Sequence, residues 1–157
     1  GLIMSETITA YYARDHDRLE DLFRIFQEFK RRDFPKAKGA FVQFLFGLKR
    51  HIIWEEDILF PLFEKKTGMS EGGPTAVMRV EHTMIRKELD AIHAKVAEGS
   101  PDSDEEEQKL LAVLAIHNQK EEEILYPAVD RLVTDLETAQ IFQRMKDVPP
   151  ERYATCC

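Results

Sequence analysis

The sequence predicts an all-α fold, an up-down-up-down antiparallel four-helix bundle with an internal two-helix repeat and a short C-terminal helix or tail. Apolar residues recur at spacings of three and four in four long segments, the period of an α-helix, and strand signals are weak. Two stretches 66 residues apart nearly repeat each other, HIIWEEDILFP from His51 and HNQKEEEILYP from His117. The same offset aligns His16 with His82, so we interpret the two halves of the chain as copies of one two-helix unit.

Three polar breaks, RRDFPK, TGMSEGGP and EGSPDSD, separate the four predicted helices. Each helix carries one apolar stripe, and each stripe includes one histidine. In chain order the stripes are Tyr12, His16, Leu19, Phe23 and Phe26; Phe41, Leu45, Leu48, His51, Glu55, Leu59 and Leu62; Met78, His82, Ile85, Leu89, Ile92 and Val96; and Leu110, Leu114, His117, Glu121, Ile124 and Ala128. Because the breaks are short, neighbouring helices are expected to run antiparallel.

The helix boundaries follow from local signals. Pro74 suits the first turn of the third helix, and PDSDEEE supplies capping side chains and acidic residues to the start of the fourth. We expect residues 9–134 to form the bundle, residues 1–8 to be an N-terminal leader, and residues 135–157 to be a short appended helix and tail.

Composition limits the possible partners and location. A chain of 157 residues with 43% hydrophobic content is enough for one globular domain. The formal net charge of −7 argues against binding to nucleic acid or to an anionic membrane surface, and no apolar run is long enough to span a bilayer.

The two cysteines, Cys156 and Cys157, are adjacent and cannot join distant parts of the chain. We expect them to stay reduced in the mobile tail of a cytoplasmic protein, and a redox or metal-transfer role for the pair is the alternative.

The four stripe histidines are expected to lie in one layer of the bundle. His16 lies about 16 residues before the first turn and His51 about 16 residues after it. His82 and His117 stand about 17 and 15 residues from the third turn. A glutamate follows the second and the fourth histidine by four residues, which places it on the same helix face. The six candidate metal ligands are His16, His51, Glu55, His82, His117 and Glu121.

Two carboxylates buried in this layer indicate a metal site, because an unpaired buried carboxylate is costly and a cation removes that cost. A metal-free polar network is the alternative. Four imidazoles and two bridging carboxylates supply roughly eight ligand atoms, which suits two ions better than one. With an oxo or hydroxo bridge, about two positions of an octahedral pair stay open. The donor set suits Fe, Mn or Zn, and open positions favour iron.

This pattern resembles the hemerythrin-like (HHE cation-binding) domain family over about residues 10–132. The shared features are one histidine on the first helix, His-x-x-x-Glu on the second, one histidine on the third and His-x-x-x-Glu on the fourth. Both glutamates are followed directly by another glutamate and, six residues on, by a proline. The resemblance implies a non-heme di-iron centre in which the four histidines are terminal ligands and Glu55 and Glu121 are bridges.

Two positions depart from the oxygen-carrying members of that family. Those members place a second histidine four residues after the third-helix ligand, where this chain has Arg86. Their last carboxylate comes five residues after the fourth-helix histidine, where this chain has Glu122, but Glu121 has the better helical direction and matches Glu55 in the repeat. The ligand set therefore resembles that of relatives linked to iron handling and to nitrosative or oxidative stress.

The resemblance implies a protein that binds metal and a small ligand, O2, NO or peroxide, for sensing or stress protection. One alternative is an iron donor for the repair of iron–sulfur clusters. Another is a bundle whose metal is only structural and which recruits a protein partner. Whether the chain is an enzyme or forms a homo-oligomer is left open by the sequence.

Four residues near the layer carry weaker expectations. Tyr12 lies one turn before His16 and either bonds a metal-bound ligand or is simply half-buried. Glu81 either orients a ligand or lies in solvent. Trp54 and Met84 are expected in the core.

His93 is expected to lie outside the metal layer, although it shares a helix face with His82. It follows His82 by eleven residues, which places it roughly 16 Å further along the helix. His93→Ala should therefore keep the full metal content and absorption spectrum. Loss of metal from that variant, measured by elemental analysis, would show that the ligand layer is misplaced.

Overall fold

The computed structural model describes residues 6–155, and every regular element in that range is helical, which confirms the all-α prediction. Cys156, Cys157 and the first five residues of the predicted leader lie outside the described residues. The described helices include none that is long and apolar enough to cross a membrane.

The second and fourth predicted helices are each interrupted by a π-helical turn. These turns are Glu55–Leu59 and Glu121–Leu125. The α-helices of the described residues are α1 (Ile8–Phe29), α2 (Phe34–Trp54), α3 (Phe60–Thr67), α4 (Pro74–Ala97), α5 (Asp104–Lys120), α6 (Tyr126–Leu132) and α7 (Asp135–Lys146), and a 3-10 turn covers Pro150–Arg152. Helix α7 corresponds to the predicted appended helix, and a capping box between Thr134 and Glu137 begins it.

The long helices associate in pairs that follow one another in the chain. Helix α1 packs along α2, α4 packs along α5, and α6 packs against α1. Short connections between consecutive helices favour the packing of those helices against each other. The up-down-up-down order of the four segments stays a prediction.

Two apolar clusters fill the interior and leave a polar layer between them. One cluster lies toward the turn between α1 and α2, and the other includes residues of α3, α6 and α7. Along α1, Leu19 belongs to the first cluster and Tyr12 to the second, so that the buried His16 lies between them. The buried His82 occupies the same intermediate level on α4.

The π turns shift the apolar stripes, and one stripe position was therefore predicted wrongly. Ile124 is 61% exposed, and its neighbours Leu125 and Tyr126 are buried instead. A π turn holds more residues than an α turn, so the inward face moves one position along the chain. The first π turn has the same effect, because Phe63 is buried while Leu62 is only half-buried.

Two further core expectations have opposite outcomes. Trp54 is buried, and its indole N–H donates to the carbonyl of Met145, 3.2 Å away. Met84 is 48% exposed on α4, so its placement in the core was wrong. Its neighbour Ile85 takes the inward position instead, because a helix has only one face toward the core.

Candidate metal centre

The two π turns position the buried glutamates. Pro61 and Pro127 have no backbone N–H, and a proline ring clashes with the carbonyl four residues earlier, which disfavours an α-helical turn at that point. The residue before each proline bonds five residues back instead, to the carbonyl of Glu55 or of Glu121. Such turns within α-helices are frequent at functional sites. Both glutamate side chains are completely buried.

The structure brings all six predicted ligand residues together on the inner face of the layer. Each imidazole turns its Nε2 atom toward one of the two buried glutamates. The distances are 3.3 Å from His16 and 3.2 Å from His117 to Glu121 Oε1, 3.0 Å from His82 to Glu55 Oε1, and 3.5 Å from His51 to Glu55 Oε2. Each glutamate therefore faces two histidines, as a group shared between two neighbouring ions would.

Two overlapping groups of donors are compact enough to hold a cation each. One group is Glu55, His82, His117 and Glu121, the other is His16, His51 and Glu121, and within each the ligand atoms lie within 4.8 Å of one another. The buried Oε2 atom of Glu121 has no hydrogen-bond partner among the described residues. A cation would satisfy this oxygen, and the combination of imidazole and carboxylate donors suits Fe, Mn or Zn.

Four outer carboxylates orient the histidines from the opposite side. Each Nδ1 atom faces one of them, and its N–H donates to the carboxylate oxygen. The pairs are His16 with Glu122 at 2.9 Å, His51 with Asp15 at 2.8 Å, His82 with Glu56 at 2.8 Å and His117 with Glu81 at 2.9 Å. This arrangement fixes the tautomer that leaves Nε2 free to bind a metal.

Surface cations support three of the four outer carboxylates. The contacts are Arg18 to Asp15 at 3.0 Å, Arg86 to Glu56 at 2.8 Å and Lys120 to Glu81 at 2.6 Å. The fourth carboxylate, Glu122, has no cation partner within residues 6–155, and its side chain is 36% exposed. His16 is therefore held by the least supported carboxylate of the four.

Tyr126 places a hydroxyl group among the ligand atoms. This hydroxyl lies 2.6 Å from Glu55 Oε2, to which it donates, and 2.9 Å from Glu121 Oε1. It also lies 3.1 Å from His51 Nε2 and 3.3 Å from His16 Nε2. Burial, together with Glu121 and Glu55, raises the pKa of Tyr126 above its usual value. The phenol therefore keeps its proton in the metal-free chain.

When no metal is bound, the neighbouring carboxylates stabilise the protonated form of the histidines. Burial by itself lowers the pKa of His51, but Glu55 and Asp15 overcome that effect and raise it to about 10. Burial likewise opposes the charged form of His82, yet Glu55 and Glu56 raise its pKa to about 9. A cation that binds at Nε2 must displace these protons, so metal binding releases protons.

Comparison with known proteins identifies the family. Residues 7–129 match the hemerythrin HHE cation binding domain family. The chain belongs to this family. The matched range includes every inner and outer residue of the layer described above, so the hemerythrin HHE domain contains the whole candidate metal centre.

The hemerythrin HHE domain also has curated relatives. Among them are proteins named iron–sulfur cluster repair protein YtfE from Yersinia pestis (strain Pestoides F) and from Yersinia pseudotuberculosis serotype O:1b (strain IP 31758). Each is 28% identical to the chain over 96 residues, which cover 57% of the chain and 43% of the relative. The chain thus spans less than half of the length of these relatives. No solved structure matches the chain significantly.

Sequence reasoning did not single out several residues of this hemerythrin HHE centre. Asp15, Glu56 and Glu122 were not predicted as partners of the histidines, and Tyr126 was not predicted in the layer at all. A usable signal was present, because an acidic residue directly precedes His16 and His82 and directly follows both inner glutamates. For Tyr126 the signal was a difference between the two repeats. The matching position, 66 residues earlier, is Phe60, so Tyr126 adds a hydroxyl group there.

The weaker expectations are decided by contacts. Glu81 orients a ligand candidate, since it accepts from His117 Nδ1. Tyr12 is completely buried rather than half-buried, and its hydroxyl lies 3.4 Å from Met145 Sδ, outside the group of ligand atoms. Arg86 contacts Glu56 and so supports a ligand candidate indirectly.

Asp15→Asn should lower the metal affinity of the hemerythrin HHE domain by about tenfold or more, because it removes the charged acceptor that orients His51. The affinity can be measured by competition for Zn²⁺ with a chromophoric chelator. Asp17→Asn is the matched control, since it removes the same charge from an exposed position two residues along α1. Equal affinities of the two variants would contradict an orienting role for Asp15.

Proposed function

We propose that the chain is a non-heme di-iron protein that binds O2, NO or peroxide for sensing or for protection against oxidative and nitrosative stress. His16 and His51 would hold one iron and His82 and His117 the other, with Glu55 and Glu121 shared by both. We also infer that the four helical segments run up-down-up-down, with these ligands projecting into the bundle.

The main support for two ions is that each buried glutamate faces histidines of both groups. Glu121 Oε1 lies near His16 and near His117, and the two oxygens of Glu55 face His82 and His51. A single ion has no use for two such spanning carboxylates. Iron is favoured over Mn and Zn by the family and by the iron-linked names of the relatives.

The iron pair would supply electrons to a small oxidant or a coordination position to NO. The chain's own residues do the rest: outer carboxylates orient the imidazoles, and two apolar clusters exclude water from the layer. Tyr126 keeps a proton at its hydroxyl within hydrogen-bond distance of both glutamates. It can donate to a carboxylate or to a ligand that arrives in the same layer.

Iron donation for iron–sulfur cluster repair is a second candidate function. The names of the relatives favour it, and one contact in this chain agrees with it. His16 depends on Glu122, which is partly exposed and lacks a cation partner among the described residues. A ligand held in this way is the easiest of the four to release.

Reduced protein loaded with Fe²⁺ in the absence of oxygen should contain two irons per chain and should convert in air to a ferric form that absorbs in the near ultraviolet. That form should bind azide and return to the ferrous state only with added reductant, because the donor set leaves about two coordination positions open to a small ligand that can take up electrons. Absorption spectra with metal analysis test this.

Spectra that cycle between an oxygenated and a deoxygenated form on simple removal of oxygen would favour an oxygen carrier. Indifference to O2, NO and azide would favour a structural metal, and transfer of iron to an apo iron–sulfur protein would favour repair.

Glu121→Ala should lose both metal ions together, because the carboxylate is shared by both groups of donors. Glu123→Ala is the matched control, since Glu123 lies in the same π turn but is exposed. The metal content per chain after gel filtration is the measurement, with circular dichroism to check folding. Two metals per chain in the Glu121 variant would contradict the shared assignment.

A further inference from the structure

We infer that a cavity between α1 and α5 is a binding site for a neutral, apolar organic molecule of about the size of a small aromatic compound, with its inner end at His16. The cavity has a volume of about 360 Å³ and is lined on most sides by apolar residues. These residues are Leu19, Phe23, Phe44, Leu48, Leu111 and Leu114. This inference goes beyond the proposed function, which requires only a diatomic ligand or peroxide.

The cavity lies between two sets of polar contacts that join α1 to α5 and to the π turn that follows α5. At one end His16 contacts Glu122, and at the other Gln27 and Lys30 contact Glu107, at 3.1 and 2.5 Å. Between these contacts the two helices make few close backbone contacts. The space between them is therefore held open by polar contacts on both sides.

The internal repeat shows which side chain is missing from this space. The position on α2 that matches Asn118 of α5 is Ile52, which is buried in the core. Asn118 is half-buried and lines the cavity. Helix α5 thus lacks the apolar side chain that its repeat partner uses to fill the corresponding position.

Size and charge decide the class of ligand. O2 or NO needs about the space of one water molecule, on the order of 30 Å³, whereas organic ligands occupy pockets of roughly 300–1,000 Å³. Apart from His16 at the inner end, the charged residues of the lining are Glu20 and Arg24, which have opposite signs. Arg24 also pairs with Asp21 at 2.7 Å. The one arginine of the mouth is therefore already paired and offers no free positive charge to select an anion, and the apolar walls favour a neutral molecule.

The full chain should bind the neutral fluorescent probe N-phenyl-1-naphthylamine with a stoichiometry of one per chain. Ala115→Trp, at an exposed position that lines the cavity, should weaken the probe's affinity by about tenfold or more. Asn118→Trp, which fills the space left by the missing apolar side chain with a large ring, should do the same. Ala112→Trp is the matched control, because Ala112 is exposed one turn earlier on α5 and does not line the cavity, and its affinity should equal that of the unmodified chain.

The anionic analogue 8-anilinonaphthalene-1-sulfonate should bind at least about tenfold more weakly than the neutral probe. Equal binding of the two probes would overturn the assignment to neutral ligands. Unchanged affinity in the Ala115 and Asn118 variants would place the probe on the exposed apolar side chains of α4 and α5, such as Val80 and Ile116, and would overturn the site. Equal losses in the Ala112 and Ala115 variants would overturn it as well. The titration requires no redox change, so none of these outcomes supports or contradicts the di-iron proposal.

Discussion

The burial of two glutamate side chains at one level of the helices is the constraint on which the rest of the structure depends. A carboxylate in an apolar interior needs positive charge nearby, and four imidazoles meet this need either as protonated groups or as ligands of a cation. The imidazoles in turn need a fixed orientation, which the outer carboxylates supply. Arg18, Arg86 and Lys120 then compensate three of those outer carboxylates at the surface. Charge therefore alternates from the centre of the protein outward.

The internal repeat builds this arrangement twice, and the departures from the repeat affect one half more than the other. Phe60 stacks on His82 with a centroid distance of 5.7 Å, whereas the matching Tyr126 places its hydroxyl beside His16 and His51. Arg86 supports Glu56, whereas the residue at the matching position is Glu20, which cannot support Glu122 by ion pairing. A duplicated site can keep its inner ligands and still differ in the residues that restrain them.

Periodicity and repetition made the helices and the convergence of the six inner residues predictable, because both depend on local spacing. The π turns were not predictable in the same way, since they depend on how a proline and the buried glutamate before it share one turn. Ile124 was placed inside for that reason. The outer carboxylates were missed because Glu56 and Glu122 belong to acidic runs that resemble a solvated face, and the histidine that each contacts lies on another helix. Tyr126 was missed because one hydroxyl distinguishes it from an ordinary core aromatic such as Phe60.

The departures from the internal repeat are concentrated beside His16, and they give the two halves of the layer different physical properties. His82 and His117 are held by Glu56 and Glu81, each with its own surface cation, so movement of either imidazole would disturb two successive ion pairs. His16 is held by Glu122 alone and borders the cavity between α1 and α5. Displacement of His16 disturbs fewer contacts and has space available beside it. Under the proposed function, exchange of a ligand or of the metal itself is therefore expected at the ion held by His16 and His51, while the other ion keeps the layer assembled.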